Sequence, residues 1–224
     1  DFTLSPSDTA AMAAFGRDMD VTVFATLLAA FYTLLYRYSG SDDQVVGAPM
    51  ANREDHRVSA LIGLFVNTIP LRARINPSAG FAELVSHVRE VTLGAYEHQE
   101  LPLEQIIDEV APARLPGRNP MVAVLFAMQS PPPADLDFAG TPVSFVGVPT
   151  GTTRADVELH FWPLGESIGV QFVYSTELFD AATMEQMRDD YTALLRAAIA
   201  SPHLAIDCLP LGAYQARVAQ SLSL

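Results

Sequence analysis

Ile62-Gly63-Leu64-Phe65-Val66-Asn67-Thr68 is the stretch on which the reading of the fold turns, and His98-Gln99-Glu100-Leu101-Pro102-Leu103-Glu104 follows it downstream. The apolar run Leu64-Phe65-Val66 leads into a strand predicted over residues 65–75, alternating near its end at Leu71, Ala73 and Ile75. Gly63, ahead of that strand, permits a tight turn or a close approach. The second stretch joins two helices. One is predicted from Phe81 to about Glu97, with Phe81, Leu84, Val85, Val88 and Val91 near helical spacing. The other starts at Pro102 and ends near Val110.

Upstream, Asp1-Phe2-Thr3-Leu4 alternates like a short strand. Ser5 or Ser7 offers a cap to a helix through Phe15. Val21 to Tyr36 is uncharged and apolar but shorter than the roughly 20 residues of a membrane span. It reads as a core helix capped by Asp20 and ended by Ser39-Gly40, glycine taking the left-handed conformation there. Gln44 to Met50 reads as a buried strand.

Downstream, residues 111–119 form a Pro/Gly/Arg loop before a strand from Val122 to Met128. Ser130-Pro131-Pro132-Pro133 opens an excursion that no central strand can contain. Residues 143–148, 156–163 and 168–174 read as three more strands, with Gly165 turning the last pair. Asp180 caps a final helix to about Ala200. Mixed strands and helices predict an α/β fold, a mixed β-sheet covered by helices.

Bulk properties exclude several chemistries. The chain has 224 residues, half of them hydrophobic, and a formal net charge of −13. That suits one packed domain or large subdomain. All 13 cations are arginine, so no Schiff-base or phosphate-loop lysine exists. Such arginine usage with abundant alanine points to a GC-rich bacterial genome. An acidic surface repels phosphate backbones, so nucleic-acid binding is not expected. No membrane segment or signal peptide is read, and a cytoplasmic location is expected. Cys208 is the single cysteine, expected as a small, partly buried hydrophobe. The five histidines are scattered, no metal-ligand spacing occurs, and no self-contained catalytic constellation is present.

Five stretches in order resemble the C-terminal lobe of a nonribosomal peptide synthetase condensation domain. They are the residues ending in Ala51-Asn52-Arg53, the Ile62–Thr68 motif with Arg72, the His98–Glu104 motif, Arg118-Asn119-Pro120-Met121, and Glu177-Leu178-Phe179-Asp180. The resemblance implies one lobe of a chloramphenicol-acetyltransferase-like, two-lobed domain, spanning residues 1–224, with a tunnel between the lobes. It implies amide formation between acyl and aminoacyl thioesters carried on phosphopantetheine arms. No cofactor is bound directly. The family's His-His-x-x-x-Asp-Gly motif belongs to the N-terminal lobe and does not occur here, so no catalytic residue is assigned. The chain alone is expected to be inactive, as a subdomain, a proteolytic fragment or the product of a truncated gene.

The implied partners are the N-terminal lobe, upstream and downstream peptidyl carrier domains and a neighbouring adenylation domain. A homo-oligomer through the exposed lobe face is also expected. Arg53 is the candidate that supports the active site across the lobe interface, its fork suited to a carboxylate; the alternative is a loop arginine paired with Glu54 or Asp55. Gly63, Asn67, Thr68, Ala123 and Ser130 are candidates for tunnel lining or substrate binding. Asn67 alternatively satisfies backbone. Ala123 and Ser130 replace the family's usual glutamine and asparagine. His98, Arg118, Asn119 and Asp156 are read as structural, with an intra-lobe ion pair or turn bond expected at Arg154 and Asp156. The segment from 131 to 142 is expected to cross to the other lobe and to be mobile without it. A non-catalytic platform recruiting a tailoring oxygenase, or an epimerisation or heterocyclisation relative, stand as alternatives.

Overall fold

Ala25 to Leu34 are all buried, so one helix turns through the core with no solvent face. This is α2, Val23–Ser39. The computed structural model describes residues 1–53, 56–111, 119–130, 137–142 and 151–212. Around α2 stand α1 (Pro6–Met19), α3 (Phe81–Tyr96) and α5 (Ala181–Ala200), which also bury apolar stripes in the same core. The polar groups that α2 and its neighbours carry inward are satisfied. Tyr32 Oη donates to the Leu71 carbonyl at 2.6 Å, and Tyr191 Oη to the Leu27 carbonyl at 3.0 Å.

Beneath the helices lies a mixed sheet of β1 (Phe2–Leu4), β2 (Asp43–Met50), β3 (Asn67–Arg74), β4 (Val124–Met128), β7 (Val157–Leu164) and β8 (Ser167–Tyr174). Its order is β1-β8-β7-β4-β2-β3. The central strands β2, β4 and β7 run parallel, and both flanks are antiparallel. A separate hairpin, β5 (Asp137–Phe138) with β6 (Thr141–Pro142), lies off the sheet, as expected of the proline-rich excursion. One face carries Val46, Leu71, Phe126, Leu159, Phe161 and Val170 against the helices. The opposite face is covered in part by the short α4 (Leu103–Val110), whose Leu103 and Ile107 pack on Val122 and Leu125. The α/β expectation therefore holds, with a second, thinner helical layer.

Local chemistry explains the boundaries. Ser5 and Asp8 form a reciprocal capping box, each side chain accepting from the other's backbone N–H. Asp20 does not cap α2 as the sequence suggests. It closes α1 in the left-handed conformation at φ 52°, and Thr22 caps α2, its Oγ1 accepting from the Ala25 N–H. Gly40 ends α2 at φ 71°, where glycine carries no Cβ penalty. Asp180 caps α5 through the Thr183 N–H, as expected. Cys208 lies in a 3-10 turn and is exposed, not partly buried. The strand expected at 143–148, the segment 131–136, Arg118, Glu54 and Asp55 fall outside the described residues.

A strand-end groove and the loops beside it

The parallel strands β2, β4 and β7 end at one edge, at Met50, Met128 and Leu164. Open α/β sheets bind ligands beyond the carboxyl ends of such strands. Here that edge holds a groove of about 530 Å³, walled by Phe24, Tyr96, Met50, Gln129, Ser130 and Pro163. Phe24 sets its edge on Phe126 at 5.3 Å, so the groove wall is anchored in the core. A second groove of about 690 Å³ runs between α1, α2 and α3 past Arg17, Asp20 and Arg89, and it shares Phe24 and Tyr96 with the first. Burial raises the Tyr96 phenol above its ordinary pKa, so it remains a neutral hydroxyl there.

The two motifs that open the sequence reading meet through one side chain. Asn67, the first residue of β3, donates from Nδ2 to the carbonyls of Gln99 and Leu101, both at 2.8 Å. Its Oδ1 accepts from the Leu103 N–H at 3.3 Å. The amide is thus committed to backbone of the 98–103 turn. His98 stands exposed in that turn, its N–H on the Ala95 carbonyl.

Arg53 organises a second loop. Its Nη1 donates to the carbonyls of Val58 and Leu61, each at 2.8 Å, and Nη2 to that of Gly63 at 3.2 Å. The guanidinium also lies over the Phe65 ring, 4.3 Å from its centroid. Residues 61–66 are held in this loop, which is why β3 begins at Asn67 rather than at Phe65. The loop presents apolar side chains to solvent: Ile62 is 105% and Leu64 91% exposed, with Leu61 and Val66 beside them.

The remaining candidates scatter around these features. Ser130 lines the strand-end groove. Thr68 lies on the α4 face of the sheet against Gly47, where a Cβ would stand 2.9 Å from Thr68 Cγ2 and would also strike Val122; only glycine permits that approach. Ala123 is exposed, and its carbonyl accepts from the Asp156 N–H at 2.9 Å. Asn119 caps the approach to β4, Oδ1 accepting from the N–H groups of Met121 and Val122. Arg154 makes an ion pair within the chain, with Glu158 at 2.6 Å.

Sequence reasoning passed over Gln129, Phe24, Tyr96 and the buried pair Glu158 and His160. The last two had a signal. They alternate at i and i+2 within an otherwise apolar strand, which marks one polar position repeated on one face.

Comparison with known proteins follows the same outline. The family profile described as Condensation domain matches residues 1–212. A linear gramicidin synthase of Brevibacillus parabrevis is 37% identical over 217 residues, 96% of this chain and 3% of that protein. Cyclosporin synthetase of Tolypocladium inflatum is 36% identical over 202 residues, 88% of this chain and 1% of that protein. The chain therefore spans a small part of the length of these relatives. Among solved structures, the first condensation domain of the CDA synthetase shares the fold at TM-score 0.75 and 18% identity, over 94% of this chain and 47% of that one. The X-domain from teicoplanin biosynthesis, solved in complex with OxyB, does so at 0.82 and 22%, over 93% and 47%.

Proposed function

Because the chain belongs to the condensation-domain family of nonribosomal peptide synthetases, we propose that it forms the acceptor-side half of a domain that joins carrier-borne acyl and aminoacyl groups. The match over residues 1–212 carries this reading. The two grooves meet at Phe24 and Tyr96, and a phosphopantetheine arm would enter between α1, α2 and α3 and run on into the strand-end groove with its amides and aminoacyl end. In the reaction, the amine nitrogen attacks the upstream thioester carbonyl. A C–N bond forms, the C–S bond breaks, and the thiol leaves with the proton the amine gives up.

Nothing in the sequence supplies the family's paired histidines, so the base or positioning group comes from a complementary lobe. Arg53 serves the site by shaping the 58–63 loop toward that lobe. Acyl-loaded and aminoacyl-loaded carrier domains mixed with this chain are expected to give no amide above background. Adding an N-terminal lobe that carries the His-His-x-x-x-Asp-Gly motif is expected to give product. Product from this chain alone would overturn the reading.

The apolar 61–66 loop is the proposed seat of the complementary lobe, since the solved condensation domain is about twice as long as this chain. Without that lobe, a second copy covers it. Light scattering is expected to show a concentration-dependent dimer, and the double substitution Ile62→Asp, Leu64→Asp a monomer. A wild type that stays monomeric at high concentration counts against this.

A second reading draws on Ser130, which lines the strand-end groove where the resemblance leads one to expect an asparagine. A relaxed site suits a non-catalytic platform that recruits a tailoring oxygenase, and the X-domain shares this fold. Product formation by the complemented domain excludes it.

A further inference from the structure

On the face of the sheet opposite the large helices, β7 carries Glu158 and His160, 3% and 7% exposed. They belong to one continuous set of hydrogen bonds. Glu158 Oε1 accepts from the Arg154 backbone N–H at 2.6 Å and lies 3.0 Å from Thr153 Oγ1. Its Oε2 accepts from Arg154 Nη2 at 2.6 Å and Nε at 3.2 Å, and lies 3.1 Å from His160 Nε2. His160 Nδ1 lies 3.0 Å from Gln129 Nε2. Gln129 is exposed and lines the strand-end groove.

The protons in this set are determined by what each atom can do. An ionised carboxylate only accepts, so His160 Nε2 carries the hydrogen that faces it. An amide nitrogen only donates, so Nδ1 facing Gln129 offers its lone pair. The ring is therefore the neutral Nε2–H tautomer, fixed by the hydrogen bond at its other nitrogen. Arg154 already supplies the carboxylate with a positive partner, so the pair needs no second cation. With one Nε2–H turned to His160, the Gln129 carbonyl oxygen lies on the other side of the amide carbon, placed to accept from whatever enters the groove; the second Nε2–H stays with the nitrogen on the His160 side.

We propose that the Arg154–Glu158–His160 set fixes the polarity of the strand-end groove, by holding the Gln129 carbonyl oxygen toward it as the acceptor for an amide N–H of the bound molecule. Gln129 is then a specificity residue, and Glu158 and His160 are positioning residues that act through it. The ligand class is an extended chain bearing secondary amides. A pantetheine arm is the source this proposal commits to, and in that respect it rests on the function proposed above.

Two measurements on the chain test it. Long-range proton–nitrogen correlation of histidine-labelled protein, with His160 assigned by loss in His160→Asn, is expected to show Nε2 protonated and Nδ1 bare at neutral pH. An Nδ1–H tautomer or an imidazolium overturns the proposal, because either turns the Gln129 amide around. Binding is then measured with free pantetheine and with pantetheine methylated on both amide nitrogens. The wild type is expected to prefer the N–H form by about tenfold, the worth of one hydrogen bond. Gln129→Leu is expected to bind both forms equally. Glu158→Gln, whose amide can donate to Nε2 as well as accept, is expected to reduce the preference. A wild type that binds both forms equally overturns this proposal alone. A wild type that binds neither overturns the carrier-arm reading of the groove, and the ligand named here with it.

Discussion

Asn67→Ala is expected to lower the stability of the fold by about 2–3 kcal/mol, from three hydrogen bonds at about 1 kcal/mol each. For a chain of this size that is a fall of about 5–10 °C in Tm. The loss is concentrated at one joint. The carbonyls of Gln99 and Leu101 would lose their donor, and the first turn of α4 its acceptor. That last contact matters because the residue at the N-cap of α4 is Pro102, which makes no side-chain cap. Asn67 therefore caps α4 from a distant strand, doing for the Leu103 N–H what a local serine or aspartate usually does. Asn67→Asp separates the two ends of the amide. Its carboxylate still accepts from Leu103 but faces two carbonyl oxygens, so it is expected to be no more stable than the alanine variant at neutral pH. Asn119→Ala, which frees only the two N–H groups ahead of β4, is the smaller comparison. Thermal unfolding of the three variants checks the order. An unchanged Tm for Asn67→Ala would mean the turn is held by other contacts.

That joint also shows what a sequence can and cannot display. The elements were legible because their signals are local. A serine and an aspartate three apart cap α1, a glycine ends α2, and alternating or helical spacing marks the strands and the apolar stripes. The family resemblance was legible for the same reason, as short stretches in a fixed order. The role of Asn67 was not, because its partners lie 32 to 36 residues away and are backbone atoms. Backbone carbonyls carry no sequence signature. Arg53 is similar: a guanidinium that reads as a hand for a distant carboxylate is occupied by carbonyls of the loop that comes after it.

The groove was hidden for a different reason. Phe24 and Tyr96 are ordinary apolar positions near the ends of their helices, and nothing in their spacing says that the two ends meet. Asp20 misled for a related reason. Aspartate suits a helix start, but it also tolerates the left-handed conformation that closes one, and Thr22 is better placed for the start. Tertiary placement decided between two locally acceptable roles.

Glu158→Gln is expected to lower stability by up to about 3 kcal/mol at neutral pH and to flatten the acid limb of the stability curve. Burial pulls the Glu158 pKa up, but hydrogen bonds from the Arg154 side chain and backbone, the Arg154 charge and Thr153 outweigh it and hold the carboxyl at about 2. The ordinary value is 4.5. A pKa lower in the folded state than in the unfolded one means that the folded state releases the proton more readily. The carboxylate therefore stabilises the fold fully above about pH 4.5, and this contribution drains away as pH falls toward 2. At 1.36 kcal/mol per pH unit, the interval between the two values corresponds to about 3 kcal/mol. The Glu158 side chain is 4% exposed but that of Arg154 is 62% exposed, so solvent screens part of the attraction and about 3 kcal/mol is its upper value. Asp8 is also held below its usual range, chiefly by the Arg196 guanidinium, and it steepens the acid loss in every variant alike. The difference between wild type and Glu158→Gln isolates Glu158. Urea unfolding at intervals from about pH 7 down to about pH 3 should show that difference near its full size above about pH 5 and shrinking steadily below it. Two curves that stay parallel through this range would mean that the carboxylate is not the ionised anchor of the β7 network. The neutral, Nε2-protonated state of His160 would then lose the fixed acceptor on which it depends.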